Sequence, residues 1–356
     1  MLDKLGANEK TLTLLGWPGY AEDGSNDPNV DWVTPFEDAT GCQVTFKSYG
    51  TSDEALSLFK TGEYDAIAAS GDATLRLIAG DYVQPLNTSL IPSYKDVYSF
   101  LKDRNWNTVD GKNYGVPHGY GANLLMYNTD VVKPAPTSWN VVFDGSNAYK
   151  GKVTAYDSPI YIADAALYLM KHDTTLGITD PYSLDTKQLA AAVDLLKKQR
   201  ANIGEYWSDY LKSIQSFTDG STVVGTTWQV IKNSMPANSP VEAILPSEGA
   251  TGWSDSWMIA ANAKHVNCAY QWLNYIDTPK ANAAATEYFG EAPVTEGACA
   301  YASDPGFCDT YHAGDADYAA KIWYWTTPIS KCLDGRTDVK CTDYAAWTKA
   351  WQDVQG

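Results

Sequence analysis

The stretch Glu248-Gly-Ala-Thr-Gly-Trp253-Ser-Asp255-Ser-Trp257-Met258 sets one carboxylate between two indoles, beside Gly249 and Gly252. A carboxylate supplies the counter-charge for an ammonium group, and indole faces attract cations through the ring quadrupole. Glycine lets backbone come close and turn. Together these features suit a pocket for a small organic cation. The same residues equally fit a buried Trp pair around an Asp that caps a helix or closes a turn.

Catalytic chemistry finds no comparable constellation. His118, His172, His265 and His312 lie in no H-E-x-x-H pattern and beside no G-x-S-x-G nucleophile turn. No Walker loop or G-x-G-x-x-G follows a strand-like run. Scattered Asp and Glu leave a glycosidase-type carboxylate pair open, because sequence does not show distances in space. Asp23-Gly-Ser-Asn26-Asp27 offers oxygen ligands for calcium but lacks the closing Glu at EF-hand distance, so a solvated loop is expected there. No Cys/His cluster has zinc spacing. The reading is therefore a protein with no catalytic residues, no metal and no cofactor.

The elements that must position the Trp-x-Asp group follow from periodicity. Thr11 to Leu15 reads as a strand ending at Gly16-Trp17-Pro-Gly-Tyr20. Trp32, Val33 and Phe36 show helical spacing up to Gly41, Gln43 to Phe46 is a second strand, and Leu56, Leu58 and Phe59 precede a third, Tyr64 to Ser70. This β-α-β-α-β order predicts a parallel sheet flanked by helices, with ligands beyond the carboxyl ends of the strands. Trp17, Tyr20, Ser70 and Asp72 sit at such ends. Lys152 to Tyr156 is a further strand, with Asp157 at its end. Asp185 and Gln188 form a capping box for a helix whose core face carries Leu189, Val193 and Leu196. Thr222 to Thr226 leads to Trp228, and Val241 to Leu245 leads to the Gly-rich turn before Trp253. The expected class is α/β, with a second α/β unit in the middle of the chain and no flexible linker between the two.

Composition bounds the partners. The chain has 356 residues, 44% hydrophobic and 19% charged, enough for two domains with substantial cores. Net charge is −17 with only 26 Lys and Arg, which argues against a nucleic-acid partner. No apolar run approaches the ~20 residues of a membrane span. The first residues lack the apolar core of a signal peptide, so the protein is either cytosolic or stripped of its leader. Six cysteines, Cys42, Cys268, Cys299, Cys308, Cys332 and Cys341, include two closely spaced pairs, 299 with 308 and 332 with 341, in polar stretches. These read as small disulfide loops formed in an oxidising compartment, with free buried thiols as the alternative.

The order of several short motifs carries a family resemblance. L-G-W-P-G-Y, Y-D-A-I-A-A-S-G-D, T-S-W-N-V-V-F, G-T-T-W-Q-V, G-A-T-G-W-S-D-S-W-M-I-A-A-N-A-K, F-G-E-A-P, Y-W-T-T-P and C-L-D-G-R succeed one another along nearly the whole chain. In this order they resemble the periplasmic substrate-binding proteins of polyamine-type ABC transporters, especially the putrescine and spermidine/putrescine-like branch. The resemblance implies a bilobal periplasmic-binding-protein fold. Its two discontinuous lobes would each be a mostly parallel sheet flanked by helices, joined by crossover hinges near Gly119 to Asn123 and Trp253 to Asp255. Lobe one would hold residues 1–121 and 254–300, and lobe two residues 122–253 and 301–356. With Cys42 and Cys268 then in one lobe, they become the third disulfide.

The resemblance also implies a function without catalysis: capture of a small linear amine in an interlobe cleft and delivery to ABC permease subunits. It implies a monomer acting in the periplasm or at the cell surface. The family's ligand-walling Trp and Tyr match Trp17 and Tyr20. Its amine-contacting Ser matches Ser70, its ammonium-gripping Trp-x-Asp matches Trp253 and Asp255, and a further Trp and acid match Trp228 and Asp157. Tyr120, Tyr161 and Trp325 are further aromatic candidates. Three positions depart from the pattern of spermidine binders: Ile160 replaces a second carboxylate, Asp72 an aromatic, and Glu291 a tyrosine. Asp72, Asp157 and Glu291 are thus the acids open to a second amine, and putrescine is expected to bind at least as well as spermidine. A carboxylate-bearing amine such as 4-aminobutyrate would favour an Arg in the cleft, but Gln229 follows Trp228. Another amino acid, a quaternary amine and an extracytoplasmic hydrolase are the remaining alternatives.

Overall fold

The computed structural model describes residues 1–144 and 148–356. The chain divides into two compact units, one of Met1–Gly121 with Trp253–Ala319, the other of Ala122–Gly252 with Ala320–Gly356.

In the first unit, strands Thr11–Gly16, Gln43–Ser48 and Ala66–Ala69 alternate with helices Val33–Thr40 and Ser52–Phe59, the β-α-β-α-β order read from periodicity. The central strand Thr11–Gly16 pairs in parallel with both others. Leu12, Leu14 and Leu15 are all buried, as expected where helices cover both faces of a parallel sheet. The sheet then turns mixed. Strand Ala250–Ile259 runs antiparallel to Ala66–Ala69, with Ser256 opposite Ala69, and beyond it lie Val116–Ala122 and Ala292–Pro293. An aromatic core backs the sheet. Trp272 meets Phe36 at 5.2 Å and Trp257 at 5.6 Å, both edge-on. The disulfide Cys42–Cys268 ties the two chain segments of this unit together.

The second unit holds a sheet in the order Val241–Ile244, Leu124–Asn128, Val224–Thr227, Val153–Tyr156, Ile203–Trp207. The pair Val224–Thr227 with Val153–Tyr156 is parallel, and the two pairs made by Leu124–Asn128 are antiparallel. Helix Thr186–Gln199 starts at the capping box, with Asp185 accepting from the Gln188 N–H and Gln188 from the Asp185 N–H. Its Leu189, Val193 and Leu196 are buried. The loop closed by Cys332–Cys341 belongs here.

Two boundary expectations are corrected. Residues 301–319 belong to the first unit, and so does Trp253. Local bonds hold the 301–319 segment. Cys299 is bridged to Cys308, Glu287 accepts from the N–H groups of Ser303 and Asp304, and the Tyr120 hydroxyl donates to His312 O while accepting from Gly314 N–H. None of these bonds has a sequence signature beyond the short cysteine spacing, so the segment read as the start of lobe two.

Candidate functional site

In the first unit, strand ends converge on one carboxylate. The turn after Thr11–Gly16 is closed by the Tyr20 N–H to Trp17 O at 3.2 Å and delivers both aromatic residues. Ser70 follows strand Ala66–Ala69 and precedes helix Gly71–Ala79. The antiparallel register continues to set Asp255 across from Ser70. Trp253 and Asp255 share a strand face because side chains alternate with a period of two.

Asp255 is buried, and its Oδ2 accepts from the Tyr20 hydroxyl at 2.9 Å. The same hydroxyl lies 3.4 Å from Glu291 Oε2, which also accepts from Trp253 Nε1–H at 3.0 Å. One hydroxyl proton therefore stands between two carboxyl groups, nearer to Asp255. Gly119 and Gly121 make room for this pair. An added Cβ would sit 2.1 Å from the Glu291 carboxyl carbon at Gly119 and 2.3 Å from the Trp253 ring at Gly121. Trp17 donates through Nε1 to Ser70 Oγ at 3.2 Å, and its half-buried ring leans on Tyr49 at 4.6 Å.

The electrostatics follow from burial. Loss of water pushes the Asp255 carboxyl up to about 7; Ser70 and Tyr20 pull it back in part, and Asp72 adds to the rise. Glu291 is driven well above the usual carboxylate range, first by burial and then by Asp255. Burial holds His118 down at about 3, so it is neutral. Its Nδ1 accepts from Trp257 Nε1–H, which places the proton on Nε2, 3.9 Å from Glu291 Oε1. Ser70 and Trp17 also lie near Asp255, and Tyr20 bonds it at 2.9 Å. Asp255 Oδ1, Glu291 Oε1 and His118 Nε2 are buried and have no hydrogen-bond partner among the described residues. Such atoms are costly unless something completes them.

The other acids differ. Asp72 is buried and pushed up to about 6 by burial, with Arg76 opposing, and it accepts from Ser52 Oγ at 2.9 Å. In the second unit, half-buried Asp157 accepts from Trp351 Nε1 and Gln355 Nε2 of the last helix. Trp228 lies in an aromatic group with Trp207 at 4.8 Å and Tyr156 at 5.6 Å, and Tyr156 stacks on Trp325 at 5.7 Å. Tyr161 is a core residue bonded to Gln199, and Tyr120 serves the 301–319 segment. Sequence reading passed over His118 and Tyr49 at this site. Neither stands in a motif, and both meet it only through folding.

Residues 31–308 match the family described as bacterial extracellular solute-binding protein. The chain belongs to that family. Among relatives of this solute-binding protein is the putrescine-binding periplasmic protein PotF of Escherichia coli, 27% identical over 97% of this chain and 92% of that one. Another is the putrescine-binding periplasmic protein SpuD of Pseudomonas aeruginosa, 26% identical over 98% and 93%. Among solved structures, the Tp0655 (TpPotD) lipoprotein of Treponema pallidum superposes with a TM-score of 0.76 at 19% identity, covering 97% of this chain and 99% of that one. This likeness establishes the α/β periplasmic-binding-protein fold.

Proposed function

We propose that this solute-binding protein captures a linear amine carrying one or two positive charges, putrescine or a close relative, and hands it to an ABC permease in the membrane. The acid pair Asp255 and Glu291 carries the reading. Both are buried, one tyrosine hydroxyl joins them, and among the described residues neither forms an ion pair with Lys or Arg. A buried acid pair without its own cation suits a ligand that brings one. Trp17, Tyr20, Ser70 and Trp253 frame Asp255, Trp228 is the proposed aromatic contact from the second unit, and Asp72 and Asp157 are proposed as weaker acidic contacts. The names of the putrescine-binding relatives support the same ligand class. The protein works without turnover, as a monomer outside the cytoplasm.

Calorimetry across putrescine, cadaverine, spermidine and 4-aminobutyrate tests the ligand class. Putrescine is expected to bind at least as tightly as spermidine, since Ile160 stands where a second acid would meet the longer amine. Tighter binding of a neutral or anionic solute than of every amine ends the proposal. A melting shift without turnover of the bound amine separates a carrier from a hydrolase. Ligand at 100 times its dissociation constant stabilises by about 2.7 kcal/mol.

Binding should also release protons. An ammonium group beside Asp255 lowers a carboxyl pKa that stands at about 7 in the empty site. Affinity should therefore fall as pH drops below about 7, by up to about tenfold per unit for each coupled proton. The stability of the empty protein runs the other way. Asp255 and Asp72 hold protons in the native state that the unfolded chain has lost, so this contribution is lost as pH rises from about 4 to about 7. Binding enthalpies in buffers of different ionisation heat measure the release, and identical values at pH 6 would contradict it.

A further inference from the structure

In the second unit a one-way chain of hydrogen bonds starts at the indole of Trp228. Trp228 Nε1–H donates to Asn123 Oδ1 at 2.9 Å, Asn123 Nδ2–H to Thr251 Oγ1 at 2.7 Å, and Thr251 Oγ1–H to Asp164 Oδ2 at 3.0 Å. Asn123, Thr251 and Asp164 are buried, whereas Trp228 is half-buried. The directions of the first two bonds are chemically forced. An indole N–H only donates, so the amide oxygen of Asn123 must face it. The amide NH2 then faces Thr251, whose oxygen accepts and whose hydroxyl is placed to donate to Asp164. Bonds aligned head to tail polarise one another.

The places of the four residues give the chain its meaning. Asn123 follows the point where the chain enters the second unit at Ala122, and Thr251 precedes the point where it leaves after Gly252. A backbone bond from Asn123 N–H to Thr251 O, 2.8 Å, joins the same two segments. Asp164 lies in helix Ile162–His172. The N–H edge of the Trp228 ring is thus tied to both connecting segments, while its face packs with Tyr156 and Trp207.

We infer that Asn123, Thr251 and Asp164 are positioning residues that set the orientation of the ligand-contacting indole of Trp228. The inference rests on the amine-binding reading above. It accounts for three buried polar side chains that, among the described residues, form neither a hydrogen bond to the acid pair nor an ion pair.

A double-mutant cycle on the full chain tests it, with putrescine as probe. Thr251→Val keeps the shape and removes the hydroxyl, leaving Asn123 and Asp164 unsatisfied. It should weaken putrescine binding by roughly three- to tenfold, and Thr251→Ser should restore it. In a Trp228→Phe background, which has no indole N–H to orient, Thr251→Val should add no further loss. An equal loss in both backgrounds overturns the inference. A readout without ligand separates this failure from failure of the ligand reading. The indole N–H resonance that disappears in Trp228→Phe should move in Thr251→Val and return in Thr251→Ser. An unmoved resonance refutes the chain even if putrescine binds, whereas a moved resonance with no amine binding upholds the positioning chain and refutes the ligand.

Discussion

Replacing Asp255 with Asn will weaken putrescine binding by ten- to one-hundredfold while leaving the empty protein at least as stable. The amide has the shape of the carboxyl group, and its oxygen can still accept from Tyr20, which now bonds Oδ2 at 2.9 Å. What disappears is the charge. A hydrogen bond to a charged group is worth about 1.5–3 kcal/mol net, and each 1.4 kcal/mol is about one decade in affinity. The second half of the expectation follows from the raised Asp255 pKa. Burial disfavours the charged form, so near and above pH 7 the neutral amide is the easier group to bury. Calorimetry gives the affinity and thermal melting the stability. Undiminished affinity in Asp255→Asn refutes the acid-pair reading, and a lost affinity accompanied by a collapsed melting temperature would assign Asp255 a structural role instead.

Removing the Cys42–Cys268 bridge should have the largest effect on stability. It closes a loop of 226 residues and joins the two segments of the first unit. In the chain-entropy account, freeing such a loop in the unfolded state costs up to about 5 kcal/mol, against up to about 3 kcal/mol for a nine-residue loop such as Cys299–Cys308. Neighbouring contacts add to the asymmetry: the Glu9 carboxylate accepts from the N–H groups of Asn267 and Cys268, and Phe36 packs edge-on against Trp272. Urea unfolding of Cys42→Ala/Cys268→Ala and Cys299→Ala/Cys308→Ala gives the comparison. An equal or smaller loss for the long bridge would mean that the unfolded chain already holds these segments together.

Much of the architecture was legible because it is local. Alternation of apolar strands with helical spacing needs only a few residues at a time, as does the Asp185–Gln188 capping box. The short spacing of Cys299 from Cys308 and of Cys332 from Cys341 likewise anticipates loops closed within one stretch. The ordered motifs over nearly the whole chain led to the family that residues 31–308 match. Fold class and family were therefore within reach of the sequence.

What it did not contain is the company each polar group keeps. Tyr20 and Asp255 are 235 residues apart, yet one hydroxyl proton joins them, and Glu291 completes the group from 271 residues beyond Tyr20. Asp157, at the end of its strand, and Asp255, in the Trp-x-Asp group, both read as acids for the ligand. Folding gives the first two donors from helix Tyr344–Gln355 and leaves one oxygen of the second without a partner among the described residues. The 301–319 segment likewise went to the unit that its backbone bonds chose. Periodicity follows from the geometry of one chain segment, whereas burial, proton sharing and hydrogen-bond direction depend on which segments meet, and only the tertiary structure decides that.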